Sequence, residues 1–218
     1  MSTAFYLRQL AIGPMRNFVY LLGAPDSKGC VVVDPAWDVP AIAEAAEADG
    51  RTIEAAFVSH GHGDHCNGLV PLLERGAVPI YAQRAEVDFF PTLRALGDSV
   101  KPVSPNQDLE AAGLRIQCVH TPGHTPGSQC LHVQGALVTG DTLFMGACGR
   151  CDLPGGDPEQ MFHSLARLRA LDPATAIYPG HDYGNTKSNS LAAEVAVNPY
   201  LKLATQDAFR AYRMRPRG

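Results

Sequence analysis

Residues 59–65 read Ser59-His60-Gly61-His62-Gly63-Asp64-His65, three imidazoles and a carboxylate within six consecutive positions. Neutral imidazole and carboxylate are the donors that suit divalent zinc or iron. The interleaved glycines let the backbone bend, so the side chains can converge instead of alternating between faces. The preceding residues 55–58 read as a short buried strand, which would put the ligands at the end of a rigid element. The bland alternative is a polar loop facing solvent. Three further candidates occupy a similar strand-to-loop setting: His124 in HTPGHTPGS, Asp141 in LVTGDTLF and His181 in IYPGHDYG. Each alone would pass for a turn or cap residue. Their joint occurrence after an HxHxDH stretch points to a metal centre.

Outward from this stretch, β-rich runs cover 5–12, 18–22 and 30–33, the last ending at Asp34-Pro35. The turn AWDVP leads into an Ala/Glu-rich helix over 41–49, stopped by Gly50. A helix over 69–75 closed by Gly76 and a strand over 79–82 follow. Strands over 114–119, 129–133 and 136–138 come next, separated by Gly/Pro-rich loops. Asp157-Pro158-Glu159-Gln160 is a helix start, with an N-cap Asp, Pro at N1 and Gln at N3. Met161, Leu165 and Leu168 then recur at helical spacing. A last strand over 176–178 runs into PGHDYG, and the remainder reads as helical. A strand-rich half is thus followed by a similar one with no linker between them. The expectation is one α/β sandwich domain over residues 1–218 with a short helical C-terminal tail.

The 218 residues are 45% hydrophobic and 18% charged, enough apolar surface to offset the entropy of ordering. A net charge of −4 gives no whole-chain field favouring nucleic acid or an anionic membrane. No apolar run approaches the roughly 18 residues of a membrane span. The start, MSTAFYLRQLAIGPM, does not read as a signal peptide, so a cytoplasmic location is expected. There the six cysteines would be free thiols. Cys148-Gly-Arg-Cys151 has CxxC spacing but no second pair to complete a zinc ribbon, and its setting does not favour a redox role. Cys66 reads as a small buried apolar residue rather than a nucleophile. The basic tail FRAYRMRPRG reads as a solvated helix end.

HGHGDH, His124, Asp141 and His181, together with Asp34 after CVVV, strongly resemble the ordered motifs of the metallo-β-lactamase superfamily of hydrolases. The likeness spans essentially the whole chain. It implies an αββα metallo-β-lactamase-type sandwich with metals in a cleft at one edge of the two sheets. His60, His62 and His124 would hold one metal and Asp64, His65 and His181 the second, with Asp141 bridging. Asp64 and Asp141 would be the catalytic carboxylates, and Asp34 would orient the HxHxDH loop from behind. The resemblance implies two divalent ions, zinc foremost, with iron or a mixed zinc/iron pair as alternatives. Two such ions can share a water whose pKa falls from 15.7 to roughly 7, so no Ser or Cys nucleophile is required.

Within the superfamily, TGDTLF resembles the glyoxalase II and persulfide dioxygenase branches, whereas several β-lactamase subclasses place a cysteine ligand near this region. Gly146-Ala-Cys-Gly-Arg150-Cys-Asp152 resembles the substrate-side loop of both branches. The glyoxalase II likeness implies that Arg150 and Tyr183 contact the glutathione moiety of a thioester such as an S-acylglutathione. The partner would then be a small molecule, with neither nucleic acid nor membrane involved and a homo-oligomer left open. Only a short tail follows His181, where glyoxalase II carries a longer helical domain. GRCDLPGGD and HDYGNTKSNSLAAEVAVNP also resemble persulfide dioxygenases, which hold one iron through residues matching His60, His124 and Asp141. A β-lactam hydrolase and a non-catalytic metal-binding module are the further alternatives.

Overall fold

Two sheets divide the chain, each built from one contiguous half. The computed structural model describes residues 5–215; the first residues of the N-terminal reading and the last three of the basic tail lie outside the described residues. The first sheet follows chain order: β1 (Tyr6–Ile12), β2 (Asn17–Gly23), β3 (Gly29–Val33), β4 (Thr52–Phe57), β5 (Ile80–Gln83) and β6 (Val100–Val103). β1, β2 and β3 pair antiparallel, whereas β3 through β6 pair in parallel. Parallel neighbours need crossovers. These are α1 (Val39–Ala48), then α2 (Gly63–Cys66) with α3 (Leu69–Arg75), then α4 (Arg84–Phe89) with α5 (Pro91–Arg94).

The second half contributes β7 (Gln107–Ala111), β8 (Leu114–His120), β9 (Gln129–Val133) and β10 (Ala136–Gly140) as an antiparallel meander. A small hairpin of β11 (Leu143–Phe144) and β12 (Ala147–Cys148) follows, then α6 (Pro158–Arg169). β13 (Ala176–Pro179) returns parallel to β10, with β14 (Asn189–Ser190) at the edge. The chain closes with α7 (Leu191–Val197), α8 (Pro199–Lys202) and α9 (Gln206–Arg213).

Layering follows from side-chain alternation within the buried strands. On β2, Phe18, Tyr20 and Leu22 face the second sheet and meet Leu114, Ile116, Leu131 and Val138. Val19 and Leu21 face the other way, with Val32, against Ile42 of α1 and Leu69 and Leu72 of α3. On the far side, Leu137 and Ile177 meet Met161, Leu165 and Leu168 of α6 and Phe209 of α9. Helix, sheet, sheet, helix is therefore the order of layers, as the sequence predicts.

The elements absent from the sequence reading have physical causes. β6 contains Pro102 and sits at a sheet edge, where a missing N–H costs no ladder bond. β7, QDLEA, is an exposed acidic edge strand with little β-propensity. α1 starts at Val39, earlier than expected, because the Asp38 side chain accepts from the Ala41 N–H. The tail is not a solvated helix end: in α9, Phe209 is fully buried and Arg213 nearly so.

Candidate metal centre

One edge of the sandwich collects the ends of β3, β4, β8, β10 and β13, and each delivers a predicted site residue. Asp34 follows β3, His60 and His62 follow β4, His124 lies beyond β8, Asp141 follows β10 and His181 follows β13. α2 brings Asp64 and His65 around in a single turn. Gly140 carries φ +46°, and a Cβ there would meet the Ser59 side chain at 2.4 Å, so only glycine lets β10 pass this close to the HxHxDH loop.

The seven predicted ligands come together. His60, His62 and His124 form one triad and Asp64, His65 and His181 another, the ligand atoms of each lying within 4.8 Å of one another. Asp141 stands between them. Its Oδ2 is 3.6 Å from His124 Nε2 and 3.5 Å from His181 Nε2, and its Oδ1 is 3.3 Å from His65 Nε2. The imidazoles are aimed by their outer nitrogens. Nδ1 of His124 faces the Arg150 carbonyl at 2.8 Å and Nδ1 of His181 faces the Met15 carbonyl at 2.9 Å. His65 Nδ1 lies 2.9 Å from Asp34 Oδ2, and His60 Nδ1 lies 3.0 Å from Ser59 Oγ, whose hydroxyl donates to Asp34. With a proton on each of these Nδ1 atoms, four Nε2 lone pairs point into the cleft, the arrangement metal-binding histidines use.

Asp34 lies behind the candidate ligands, against Ser59 and His65. It adopts φ +53°, a left-handed conformation Asp tolerates, and also accepts the Ser59 N–H at 2.6 Å. Although Asp34 falls within reach of His60 and His65 as a possible ligand, both its oxygens already accept hydrogen bonds. Glu86 on α4 was not found from sequence. Fully buried, its carboxyl accepts from Gly61 N at 2.5 Å, Gly127 N at 2.7 Å and Thr125 Oγ1 at 2.8 Å, fastening the HxHxDH loop to the His124 loop. Asn17 was missed as well; its Nδ2 donates to Asp64 Oδ2 at 3.0 Å while its Oδ1 accepts from Trp37 Nε1. Nothing in the local sequence marks either residue.

Burial holds His60 and His124 below the usual histidine range and brings His62 down to about 4, with neighbouring imidazoles adding to the effect. These rings are neutral, the form that ligates. Burial also acts downward on His65 and His181, but Asp141, with Asp34 or Asp64, outweighs it, and His181 rises to about 9. Asp64 is lowered to about 2: burial acts upward, and His181, His65 and Asn17 overcome it. The carboxylates thus call for positive charge between them. A divalent cation fits this donor set: His60 Nε2, His124 Nε2 and Asp141 Oδ1 are buried without a hydrogen-bond partner.

A family profile described as "Metallo-beta-lactamase superfamily" matches residues 12–181. The chain belongs to this superfamily. It is 32% identical over 204 residues to the "Probable polyketide biosynthesis zinc-dependent hydrolase BaeB" of Bacillus velezensis, covering 91% of this chain and 88% of that one. It is 37% identical over 180 residues to the hydroxyacylglutathione hydrolase of Tolumonas auensis, covering 82% of this chain and 66% of that enzyme. Among solved structures, ETHE1 from Myxococcus xanthus superposes with a TM-score of 0.86 at 27% identity, covering 97% of this chain and 92% of that one. The two-sheet architecture is therefore the metallo-β-lactamase fold.

Within this superfamily fold, Tyr183 stacks on His181 with ring centroids 4.5 Å apart and planes 6° from parallel. Arg150 reaches the centre through its main-chain carbonyl, while its guanidinium is half exposed and makes two hydrogen bonds to Asp152, at 2.9 and 2.8 Å. The loop that carries it is held from behind. Arg213 Nε donates to Gly149 O at 2.7 Å, and Asn198 Nδ2 donates to the carbonyls of Phe144 and Ala147. The Asn198-Pro199 pair, a helix-cap signature, was a legible signal for the second anchor. None of the six cysteines forms a disulfide. Cys66 is half-buried rather than fully so, and burial pushes its thiol up to about 12, which leaves no thiolate for attack.

Proposed function

We propose that the protein is a dinuclear metallohydrolase that cleaves a thioester such as an S-acylglutathione, a small-molecule reaction of the cytoplasm. The assembly of two complete ligand triads around Asp141 carries this reading. In it, His60, His62 and His124 hold one ion and Asp64, His65 and His181 the other, zinc foremost, with iron or a mixed pair as alternatives. Divalent ions so held activate water and polarise a carbonyl. The protein's share is orientation. Asp64 stays ionised, Asp34 keeps Ser59 and His65 in place, and Asp141 joins the two halves. Tyr183 walls the cleft beside His181, and Arg150 offers a guanidinium to the thiol carrier's carboxylates in exchange for Asp152. The hydroxyacylglutathione hydrolase and zinc-dependent hydrolase relatives support the same class of reaction.

One observation favours a second reading, a mononuclear iron persulfide dioxygenase. Among the described residues, the fully buried side-chain atoms of the cluster that lack a hydrogen-bond partner belong to His60, His124 and Asp141, the set that reaction uses. Metal analysis of protein purified without added metal, paired with assays on S-lactoylglutathione and glutathione persulfide, separates the two. Two ions per chain with thioester cleavage support the hydrolase. One iron with oxygen uptake on the persulfide and no thioester cleavage replaces it.

A further inference from the structure

Six aromatic rings run in file across the centre. Phe90 touches His62 at 5.7 Å between centroids, His62 touches His60 at 4.8 Å, His60 touches His65 at 4.1 Å, His65 touches His181 at 4.9 Å, and Tyr183 stacks on His181. The two ends of this file differ. At the Tyr183 end one apolar ring, Phe144 with its centroid 5.7 Å away, stands among charged and polar groups: Asp182 pairs with Arg16 and the Tyr183 hydroxyl donates to the Met15 carbonyl. Beyond His62 lies a groove of about 440 Å³ between α3 and α5, walled by Cys66, Leu69, Val70, Phe90, Leu93 and Leu96. No Asp, Glu, Lys or Arg lines it. Val70 leaves 52% of its surface in water at the rim.

We propose that this groove binds the acyl chain of the substrate, so that the protein prefers thioesters of linear, apolar acyl groups several carbons long. The proposal rests on the thioester reading above and names the substrate class of that same site. A thioester has two arms, and its carbonyl must lie over the Nε2 atoms for water to add at carbon. The C–S bond then breaks, the sulfur leaves as a thiol with one proton of the attacking water, the acyl group departs as a carboxylate, and the other water proton is released to solvent. The arm that suits the apolar end is the hydrocarbon. The polar thiol carrier is left for the Tyr183 and Arg150 side. A groove that shares His62 with the ligand set brings the chain's first carbons directly against the reacting centre.

The test is a series of glutathione thioesters (acetyl, butanoyl, hexanoyl, octanoyl) on wild type, Val70→Glu and Thr92→Trp. Val70 and Thr92 are exposed on the groove rim and outside the metal centre. In wild type, kcat/KM rises along the series by up to about fourfold per buried methylene. Both variants keep acetyl turnover within about twofold, as surface substitutions do, and lose octanoyl turnover at least about tenfold. A flat wild-type series, or equal losses on acetyl and octanoyl, overturns the proposal. Octanoate titrated by calorimetry supplies a readout independent of turnover. If no thioester is cleaved yet octanoate binds wild type and not Val70→Glu, the hydrolase reading falls and the groove stands. Octanoate binding that neither variant weakens, or its absence in wild type, overturns the groove.

Discussion

Asp141 lies between the two triads, within 3.6 Å of His124 Nε2 and 3.5 Å of His181 Nε2, and its removal tests them together. Asp141→Ala is expected to lose metal content and hydrolysis in parallel, whereas Cys66→Ala keeps both; metal retained at the wild-type level in the former would refute the bridging assignment. Glu86 makes a different prediction. Burial pushes its carboxyl up to about 7 against an unperturbed 4.5, although three donors pull it down. Between those values the folded chain holds a proton the unfolded chain releases, so stability is greatest below the lower value and falls as pH rises through the upper one. The loss is at most on the order of 3 kcal/mol. Denaturant melts of chelator-treated protein between about pH 5 and 8 should therefore show Glu86→Gln gaining on wild type with rising pH. A difference that stays constant would mean Glu86 is ionised throughout. The candidate ligands were legible because ligation needs particular side chains in a dense pattern. Glu86, Asn17 and the Met15 carbonyl were not, since each acts through hydrogen bonds to residues far away in sequence.

Among the elements, α6 and α9 hold the loops that carry the chemistry. Asp157 caps α6 through the Glu159 and Gln160 N–H groups, and its own N–H donates to Gly123 O beside His124. Gly123 has φ +135°, and a Cβ there would collide with the Met161 backbone at 2.3 Å, so helix and loop are in direct contact. Asp157→Ala should cost about 1 kcal/mol of stability, read from denaturant melts, and loosen His124, read as weaker metal retention against a chelator. Arg213→Ala releases the Gly149 carbonyl instead. Its expected effect is a several-fold rise in KM with unchanged metal content; loss of metal would show that α9 braces the ligands rather than the loop. Elements with strong caps or buried apolar runs, such as α6, β2 and β3, were readable from sequence. Edge strands such as β6 and β7 owe their pairing to neighbours, and sequence propensity does not report that.

At the scale of the whole molecule, the centre is a seam between two sheets that elsewhere meet through an apolar core and a few hydrogen bonds, such as Tyr20 Oη to the Pro179 carbonyl and Gln83 Nε2 to Gln129 Oε1. An ion held by both halves binds the folded state only, so chelation should lower the melting temperature, by an amount equivalent to about 4 kcal/mol where free metal stands at about 1,000 times its Kd. An unchanged melting temperature after verified metal removal would show that the seam closes without help. The division of the chain also bears on its synthesis. The first sheet is complete at Val103, with His60, His62 and His65 already on it, whereas His124, Asp141 and His181 arrive only with the second. On the ribosome, where domains emerge N-terminus first, the nascent chain presents three histidines with no opposing carboxylate bridge or closing loop. Full coordination waits for β13 to slot beside β10 and bring His181 against the Met15 carbonyl, 166 residues away. Assembly of both candidate triads is thereby tied to the synthesis of residue 181, and a chain stalled before it lacks the second triad.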